Sequence, residues 1–413
     1  MCNWLVFLYH RLKEQLWVKP AVICCISVVA VFAAKWVDQF PALETVPNIS
    51  IDSIETLLQV IAASMLVMAT FAVGSMVSAY ASASKDATPR TFPLIISDDV
   101  SQNALTAFVG AFIFSIVGLF ALQNGYYERA GRFTLLIMTF AVFAVVILTF
   151  VWWVDRIARL GRMGTTIDKV ELTTSAALKR RRKSPQLGGK KVGERAVGAV
   201  AVIGEEIGYV QMVKMDELQE LAEKHDVEIE LMALPGTFAS PARALAFFEG
   251  DVEELSEFKD KVSKAFVIGR DRTFEDDPRF GLVVLSEIAG RALSPAINDS
   301  GTAIAVIGAL VRLLVFWAKP EEEEEVQFDR VAVPELSLED MFDDAFRMIS
   351  RDGAGAVEVM MRLQKGFSAI AAVSNEEAQK LIAEYSDAVI KRAEVAIDSP
   401  KDLEAVKAAA QFT

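Results

Sequence analysis

Four long apolar segments near the N-terminus constrain the fold of this chain more than any other feature. They run from Pro20 to Val37, from Ile54 to Ala83, from Ala104 to Leu122 and from Phe133 to Val154. Each is close to the roughly 20 residues that a helix needs to cross the hydrocarbon core of a bilayer. A positive mean hydropathy of +0.34 agrees with membrane insertion. The sequence therefore predicts a domain of four transmembrane helices over residues 20–155.

The distribution of Lys and Arg predicts the orientation of these helices. The N-terminal stretch carries Arg11, Lys13 and Lys19, whereas the loop from Asp38 to Ser53 has no Lys or Arg, and many basic residues follow the fourth segment. Because cytoplasmic loops carry the excess of Lys and Arg, we expect a multi-pass protein of the bacterial inner membrane. Both its N-terminus and its C-terminus are expected in the cytoplasm.

Residues 1–19 are predicted to form an amphipathic helix rather than a cleaved signal peptide, since no short apolar core with a small-residue cleavage site is present. Apolar residues recur there at helical spacing, namely Trp4, Leu5, Leu8, Leu12 and Leu16. Such a helix either lies flat on the membrane surface or packs as an ordinary helix.

The second apolar segment is unusually rich in Ser, Ala and Gly, as its stretch SMLVMATFAVGSMVSAYASAS illustrates. Small residues allow helices to pack closely, and hydroxyl groups also suit the lining of a hydrated path. The candidate pore-lining residues are Ser64, Phe71, Ser75, Ser78 and Ser82. The segment has no buried charge in its centre, which argues against a proton-relay transporter.

Basic residues next to the apolar segments are candidates for contact with lipid headgroups. Arg90 follows the second segment in the loop KDATPRTFP and is either an inner-surface anchor, a helix-end cap or a gate charge. Residues 156–194 are predicted to form a juxtamembrane helix and a basic linker. Its basic run, Lys179, Arg180, Arg181, Arg182 and Lys183, is expected to face anionic lipid headgroups.

The rest of the chain is acidic. Residues 1–191 contain 19 Lys and Arg against 12 Asp and Glu, whereas residues 192–413 contain 23 against 43. An acidic surface repels nucleic acid, and no aromatic residues accompany the basic run to stack on bases. The expected partners are therefore the lipid bilayer and further copies of the chain as a homo-oligomer, and not nucleic acid.

The sequence after the basic run predicts two further regions. Residues 195–269 combine short β-branched runs with two helical patterns, which indicates a small mixed α/β or barrel-like cytoplasmic module. Residues 270–413 are predicted to be a cytoplasmic helical bundle. The apolar stretch Gly301 to Ala318 is expected to be a buried core helix of this bundle, because as a fifth span it would place Arg312 in the membrane.

One stretch, RFGLVVLSEIAGRALSPAINDSGTA from Arg279 to Ala303, concentrates charged residues around a helix–turn–helix corner. The candidate ligand or interface residues are Arg270, Arg272, Arg279, Glu287, Arg291, Asn298 and Asp299. Local interactions offer a different explanation, since Asp277 suits an N-cap before Pro278 and Asp299 suits the cap of the next helix. The pattern leaves both explanations open.

No arrangement of residues typical of an enzyme or a metal site is visible. The three cysteines lie in or near the first apolar segment, and His10 and His225 are the two histidines. A cysteine nucleophile, a zinc site and a P-loop are therefore not expected. The sequence predicts no enzymatic activity, no metal and no cofactor.

Several motifs together resemble a known family. They are TPR at Thr88 to Arg90, GYVQ at Gly208 to Gln211, LPG at Leu234 to Gly236, and GRDRTFEDDPRFGL followed by LSEIAGRALSPAINDSGTA. With these motifs the chain resembles the bacterial predicted inner-membrane family DUF2254, although Thr88 and Ser300 stand where that pattern has Ser and Pro. The resemblance implies four membrane spans and a soluble C-terminal region, and it implies no established activity.

Two functions are compatible with these features. The first is an oligomeric, channel-like protein of the inner membrane with a cytoplasmic regulatory domain, its second helices lining the path. The second is a non-conducting membrane sensor or scaffold that binds a ligand or partner through its cytoplasmic domain.

Overall fold

The computed structural model describes residues 17–39, 46–86, 88–96, 99–157, 163–193, 198–319 and 325–410. The chain divides into two compact units, Met1–Thr166 (unit 1) and Ile167–Thr413 (unit 2). Residues 1–16 of the amphipathic helix predicted for residues 1–19 lie outside the described residues.

Unit 1 is helical, and its long helices coincide with the four predicted apolar segments. Its α-helices are α1 (Val18–Ala33), α2 (Ile51–Asp86), α3 (Phe92–Ile96), α4 (Asp99–Gln123) and α5 (Arg129–Ile157). Short 3-10 helices extend α1 (Ala34–Gln39) and precede α3 (Pro89–Thr91). Helix α4 is central, because α1, α2 and α5 all pack against it. Large apolar side chains such as Phe108, Phe114 and Leu135 are buried at these contacts.

A remote carboxylate holds the start of α5 against the end of α1. The Asp38 carboxylate accepts hydrogen bonds from the backbone N–H groups of Glu128 (3.0 Å) and Gly131 (2.5 Å). The Tyr127 hydroxyl donates to the carbonyl of Val31 at 2.7 Å. The first N–H groups of a helix have no partner within the helix. Asp38, in the 3-10 helix at the end of α1, supplies an acceptor for those of α5.

Unit 2 begins within a long helix and continues with a mixed α/β region and a helical region. Its helices are α6 (Met163–Lys183), α7 (Met215–His225), α8 (Leu255–Lys264), α9 (Pro278–Ala292), α10 (Ser300–Ala318), α11 (Leu338–Asp352), α12 (Val357–Ala371), α13 (Glu376–Ala396) and α14 (Pro400–Ala409). Its strands are β1 (Gly189–Lys191), β2 (Val200–Ile203), β3 (Gly208–Val213), β4 (Glu228–Leu231), β5 (Phe238–Ala239), β6 (Ala244–Glu249), β7 (Phe266–Gly269) and β8 (Phe328–Val333).

The strands of unit 2 form two separate sheets. One has five strands in the order β1-β8-β4-β6-β2, and the other has three antiparallel strands in the order β5-β3-β7. Helices α7 and α8 bury Leu218, Phe258 and Val262 in the same core as Ile229 and Phe248 of the larger sheet.

The α/β region is larger than the predicted module of residues 195–269. Strand β1 lies in the segment predicted to be a basic linker, and it pairs in parallel with β8. Strand β8 lies in the region predicted to be helical, between β1 and β4 in the sheet. The buried Gln219 side chain helps to place β8, because it donates to Asp329 and accepts from the backbone N–H of Arg330.

The helical region packs around α9, α10 and α12. Helix α9 contacts α10 and α11, α10 contacts α12, and α12 also contacts α13 and α14. Helix α10 buries its apolar side within unit 2 through Val306, Ile307, Leu310, Leu313 and Leu314. Five helices in the described part of the chain are nevertheless long and apolar enough to cross a membrane, namely α1 with its 3-10 extension, α2, α4, α5 and α10.

Candidate functional site

Helix α2 presents an exposed face of mixed composition in unit 1. A row of small or polar residues runs along this face, namely Thr56, Gln59, Ala63, Thr70, Gly74 and Ala81, and the bulky apolar side chains of Val60, Val67 and Val77 are exposed on the same face. The hydroxyls of Thr56 and Thr70 donate to the backbone carbonyls four residues earlier, at 2.8 and 2.9 Å. A side chain built at Gly74 would meet no atom within 4 Å. The face therefore combines small, weakly polar and β-branched residues, and it is open to another molecule at Gly74.

The predicted pore-lining residues lie beside this row rather than along its centre. Ser64 and Ser78 are exposed, Ser75 is half-buried, and the side chain of Ser82 lies outside the described residues. Phe71 is 61% exposed, and its ring meets that of Trp153 on α5 edge to face, with centroids 5.8 Å apart. Successive residues of a helix are rotated by about 100° around its axis. The predicted residues therefore lie on the side of α2 that is turned toward α5, as the contact of Phe71 with Trp153 shows.

Other helices of unit 1 expose a different kind of surface. The exposed side chains of α1 and α5 are mostly bulky and apolar, and they include Val22, Ile26, Val29, Phe140, Phe143, Leu148 and Trp152. Bulky apolar surface is what lipid tails accept, whereas small residues favour contact between helices. The exposed face of α2 holds both kinds of residue, and its small residues Ala63, Gly74 and Ala81 would allow a second helix to approach closely.

Arg90 lies in the 3-10 helix that follows α2. Its side chain is exposed, and its backbone N–H donates to the hydroxyl of Thr88 at 3.2 Å. Thr88 therefore caps this turn in the TPR motif, and Arg90 is in a position compatible with a surface role.

In unit 2, Asp277 organises the start of α9. Its carboxylate is 2% exposed and accepts from the backbone N–H groups of Arg279 (3.1 Å) and Phe280 (3.2 Å). Arg272 donates to both carboxylate oxygens, at 2.6 and 3.0 Å. Gly236 has a φ of +92°, and a Cβ atom there would overlap the Asp277 carboxylate. The LPG motif and the DDPRFG motif thus form one structural unit.

Arg279 connects α9 with α11. Its guanidinium donates to Asp344 at 2.7 Å and to Asp340 at 2.5 Å. Burial raises the pKa of Asp344 above its ordinary value, and the neighbouring Arg279 opposes this shift. Because Asp277 pairs with Arg272, and Asp340 and Asp344 pair with Arg279, the structure favours the structural explanation of these two arginines over a ligand role.

The other candidate ligand or interface residues are not brought to the same place. Arg270 and Arg291 are exposed, and Glu287 is half-buried on α9. Asn298, with a φ of +52°, and Asp299 lie at the exposed corner after α9. A helix rises about 1.5 Å per residue, so Arg279 and Arg291 are separated by roughly 18 Å along α9. The seven residues therefore do not form a single pocket.

Asp299 caps the N-terminus of α10. Its carboxylate accepts from the backbone N–H (3.0 Å) and the hydroxyl (2.6 Å) of Thr302, and these hydrogen bonds lower its pKa. Asp299→Ala is expected to lower the free energy of unfolding of unit 2 by about 1 kcal/mol, whereas Asp299→Asn retains most of the cap. Chemical denaturation of the two variants measures the difference.

The pH dependence of the same cap gives a second readout. A carboxylate with a lowered pKa in the folded state stabilises above its unfolded pKa, and this contribution is lost as pH falls through the folded pKa. The advantage of the wild type over Asp299→Asn should therefore shrink on acidification below about pH 4. An advantage that grows toward acid pH would contradict this role.

The basic run at the end of α6 contacts unit 2 itself. Arg180 donates to the carbonyl of Glu275, and Arg181 to that of Asp276 at 3.4 Å. Arg181 is 4% exposed, and burial lowers the pKa of its guanidinium to about 10. The prediction that this run faces lipid headgroups is therefore wrong for Arg181, whereas Lys179 and Lys183 are exposed.

Arg182 hydrogen-bonds to backbone carbonyls at the C-terminal end of α10, as a capping residue would. It donates to the carbonyls of Phe316 (2.9 Å) and Lys319 (3.1 Å), and its guanidinium lies 4.3 Å from the centre of the Phe316 ring. The last carbonyls of a helix have no partner within the helix, and a cation also interacts favourably with this end. One turn of α6 thus fixes both the motif before α9 and the end of α10.

A second contact joins α6 and α10 further along. Arg312 donates two hydrogen bonds to Glu171, at 2.7 and 2.6 Å. The charge that argued against α10 as a membrane span is thus paired with a carboxylate of the neighbouring helix.

A cavity of about 1090 Å³ lies between the ends of α6 and α10 and the starts of α11 and α13. Its lining includes Trp317, four cations and five carboxylates; the charged residues are Arg182, Lys191, Lys319, Lys380, Glu325, Glu335, Glu339, Glu377 and Glu384. Sequence reasoning missed this site, because its residues come from five separate parts of the chain. Within the described residues, no group of three or more His, Cys, Asp and Glu side chains is arranged to hold a metal ion.

Apolar helices in one unit and a mixed α/β and helical unit in the same chain define the class as a helical membrane protein with a large second unit. The chain belongs to the DUF2254 family of predicted membrane proteins, whose family model matches residues 13–369. The resemblance inferred from the motifs is thereby confirmed.

Similar curated proteins come from mycobacteria. They include the uncharacterized proteins Mb1321c of Mycobacterium bovis and Rv1290c of Mycobacterium tuberculosis, each 25% identical to this chain over 319 residues. The aligned part covers 74% of this chain and 60% of each relative. The chain thus spans somewhat less than two thirds of the length of the curated relatives it matches. No solved structure matches the chain.

Proposed function

We propose that the protein is a subunit of an oligomeric, channel-like assembly of the bacterial inner membrane. In this proposal α1, α2, α4 and α5 cross the bilayer, and unit 2 is a regulatory domain in the cytoplasm with both chain termini on that side. The excess of Lys and Arg before α1 and after α5 supports this orientation. Lys179 and Lys183 are the residues of the basic run that remain exposed for anionic lipid.

The proposal treats α10 as a core helix rather than a fifth span. Its apolar side is buried against other helices of unit 2, and Arg312 is paired with Glu171. A span would place this charged pair at membrane depth, which costs several kcal/mol. Burial within protein accounts for the apolar composition of α10 without any contact with lipid.

The exposed face of α2 is the single observation that carries the channel-like function. Its row of small and polar residues is interspersed with exposed Val60, Val67 and Val77, whereas α1 and α5 expose mostly bulky apolar side chains. In an oligomer, such rows from several subunits could approach one another and surround a path for small solutes. The central parts of α1, α2, α4 and α5 contain no Asp, Glu, Lys or Arg, whereas proton-coupled transporters use ionisable residues inside the membrane.

Flux through the reconstituted protein tests the proposal. Gly74→Trp should abolish most solute or ion flux in liposomes, because the new side chain would fill the space in front of the exposed row of α2. Val145→Trp is the matched control, since Val145 is exposed on the bulky apolar surface of α5. Absence of flux from the wild type for small ions and osmolytes, under voltage, pH and osmotic gradients, would refute a channel.

The charged cavity of unit 2 favours a second candidate, a non-conducting sensor or scaffold. A volume of about 1090 Å³ is sufficient for a small molecule. Thermal-shift screening of anionic and zwitterionic metabolites would reveal a stabilising ligand. Lys380→Ala should remove that stabilisation, whereas Lys401→Ala, an exposed lysine outside the cavity, should retain it.

An enzymatic role has less support. The charged side chains best placed by the fold, Arg272, Asp277 and Arg279, are engaged with each other or with α11. We therefore propose a function without catalysis and without a cofactor.

A further inference from the structure

The two edges of the five-stranded sheet in unit 2 differ in a way that points to a binding surface. Strand β1 forms one edge, and β2 forms the other with β6 as its strand neighbour among the described residues. An edge strand presents unpaired backbone N–H and C=O groups that can pair with another chain. Proteins that avoid such pairing place lysines, prolines or irregularities on their edges.

The β1 edge carries this protection. It has three residues, Gly189, Lys190 and Lys191, and its pairing with β8 is irregular after Gly189. Lys190 forms an ion pair with Glu228 at 2.6 Å, and Lys191 with Glu335 at 3.4 Å. Another strand could not pair with this edge without displacing or burying these charges.

The β2 edge lacks the lysines of β1, whereas it is also short and its pairing with β6 is irregular after Val202. Its sequence is Val200-Ala201-Val202-Ile203, with no charge and no proline. Val202 points into the core, whereas Ile203 is 50% exposed. The adjoining turn carries Glu205 and Glu206, which lie beyond the strand. The strand is therefore apolar, high in β propensity and open on one side.

We propose that β2 pairs with β2 of a second copy of this chain, antiparallel and across a two-fold axis, to form a continuous ten-stranded sheet. The occupant is a second copy because the edge is complementary to itself. Residues directly opposite each other in a sheet must lie on the same face. The regular pairing of β2 with β6 covers Val200 to Val202, whose centre is Ala201.

This symmetry fixes the register. Ala201 lies opposite Ala201 of the second copy, and Val200 lies opposite Val202, so that only small or β-branched residues meet. Glu205 and Glu206 fall at opposite ends of the joined strands, which keeps the two acidic pairs apart.

The inference rests on the oligomeric part of the proposed function but not on conduction. It defines an interface in unit 2, whereas the exposed face of α2 belongs to unit 1. Flux in liposomes without pairing of β2 would therefore refute this interface and leave the channel standing. Pairing of β2 without flux would support the interface within a non-conducting scaffold.

Disulfide trapping tests the register directly. In a full-length chain whose three native cysteines are replaced by serine, Ala201→Cys should form an intermolecular disulfide when isolated membranes are treated with an added oxidant such as copper phenanthroline. Opposed residues of antiparallel strands have Cα atoms about 4.5–5.5 Å apart, within reach of a disulfide. Val395→Cys, at an 88% exposed position on α13, is the control for random collision. Equal cross-linking of the two variants, or none at Ala201→Cys, would overturn the proposal.

Charge exchange separates a broken interface from a misfolded chain. Ala201→Lys and Ala201→Glu each place two like charges directly opposite one another across the two-fold axis. Since each such dimer carries the change twice, either variant should weaken the dimer about tenfold. Co-expression of Ala201→Lys with Ala201→Glu should restore it, and Val395→Lys should leave it unchanged. Retained dimers in the single variants, or failure of the mixture to recover, would contradict the pairing of β2 with β2.

Discussion

Asp277→Ala is expected to lower the free energy of unfolding of unit 2 by about 3–5 kcal/mol, the cost of leaving a buried charge without its partner. The substitution removes the carboxylate that pairs with Arg272 and caps the first turn of α9. The guanidinium of Arg272, 17% exposed, would remain in place without its counter-charge. Fluorescence of Trp317 during chemical denaturation, with the tryptophans of unit 1 replaced by phenylalanine, measures the change.

Two controls separate the parts played by Asp277. Asp277→Asn retains an acceptor for the N–H groups of α9 but loses the charge, and its effect should be intermediate. Asp271→Ala removes a neighbouring exposed carboxylate and should change stability by less than about 0.5 kcal/mol. If Asp277→Ala were as mild as Asp271→Ala, the motif before α9 would not have the structural role described above.

Gly281→Ala should destabilise unit 2 by about 1–3 kcal/mol, the usual cost of overpacking a tight core. Helix α9 approaches α6 so closely at this residue that a new Cβ atom would overlap the side chain of Thr174. Thr174 is buried, and its hydroxyl donates to the carbonyl of Val170 at 2.6 Å, which limits its movement. Chemical denaturation of the purified variant measures this effect.

A double-mutant cycle shows whether the overlap causes the loss. Thr174→Ala removes the atoms nearest to the new methyl group, so Gly281→Ala should cost less in that background than in the wild type. Gly164→Ala is the control within α6, because a Cβ atom at Gly164 would meet no atom within 4 Å. Strict additivity of Gly281→Ala and Thr174→Ala would argue against close packing of α6 and α9 at this point.

The long apolar helices of unit 1 could be predicted because their signal is local. The first predicted apolar segment lies within α1 and its 3-10 extension, from Val18 to Gln39. The other three lie within α2, α4 and α5. Caps and prolines likewise predicted the start of α9 at Pro278 and of α10 after Asp299. Hydrophobic length and helix-end chemistry depend on neighbouring residues and need no knowledge of the rest of the fold.

Features that depend on distant partners could not be predicted in the same way. Strand β8 is a short run after an acidic stretch, and its place in the sheet is fixed by β1 and β4, far away in sequence. The basic run resembled a lipid-binding segment because its composition does not reveal that the end of α10 offers carbonyls to Arg182. The charged cavity depends on the packing of several helix ends, which no single segment encodes.

The direction from which single cysteines can be labelled tests the central claim, that four helices of unit 1 cross the membrane while α10 does not. In a chain without native cysteines, Ala296→Cys lies before α10, Val373→Cys after it, and Asn124→Cys between α4 and α5. A membrane-impermeant maleimide should label Ala296→Cys and Val373→Cys only in inverted vesicles, and Asn124→Cys only in intact spheroplasts. Labelling of Ala296→Cys and Val373→Cys from opposite sides would make α10 a fifth span and contradict the account.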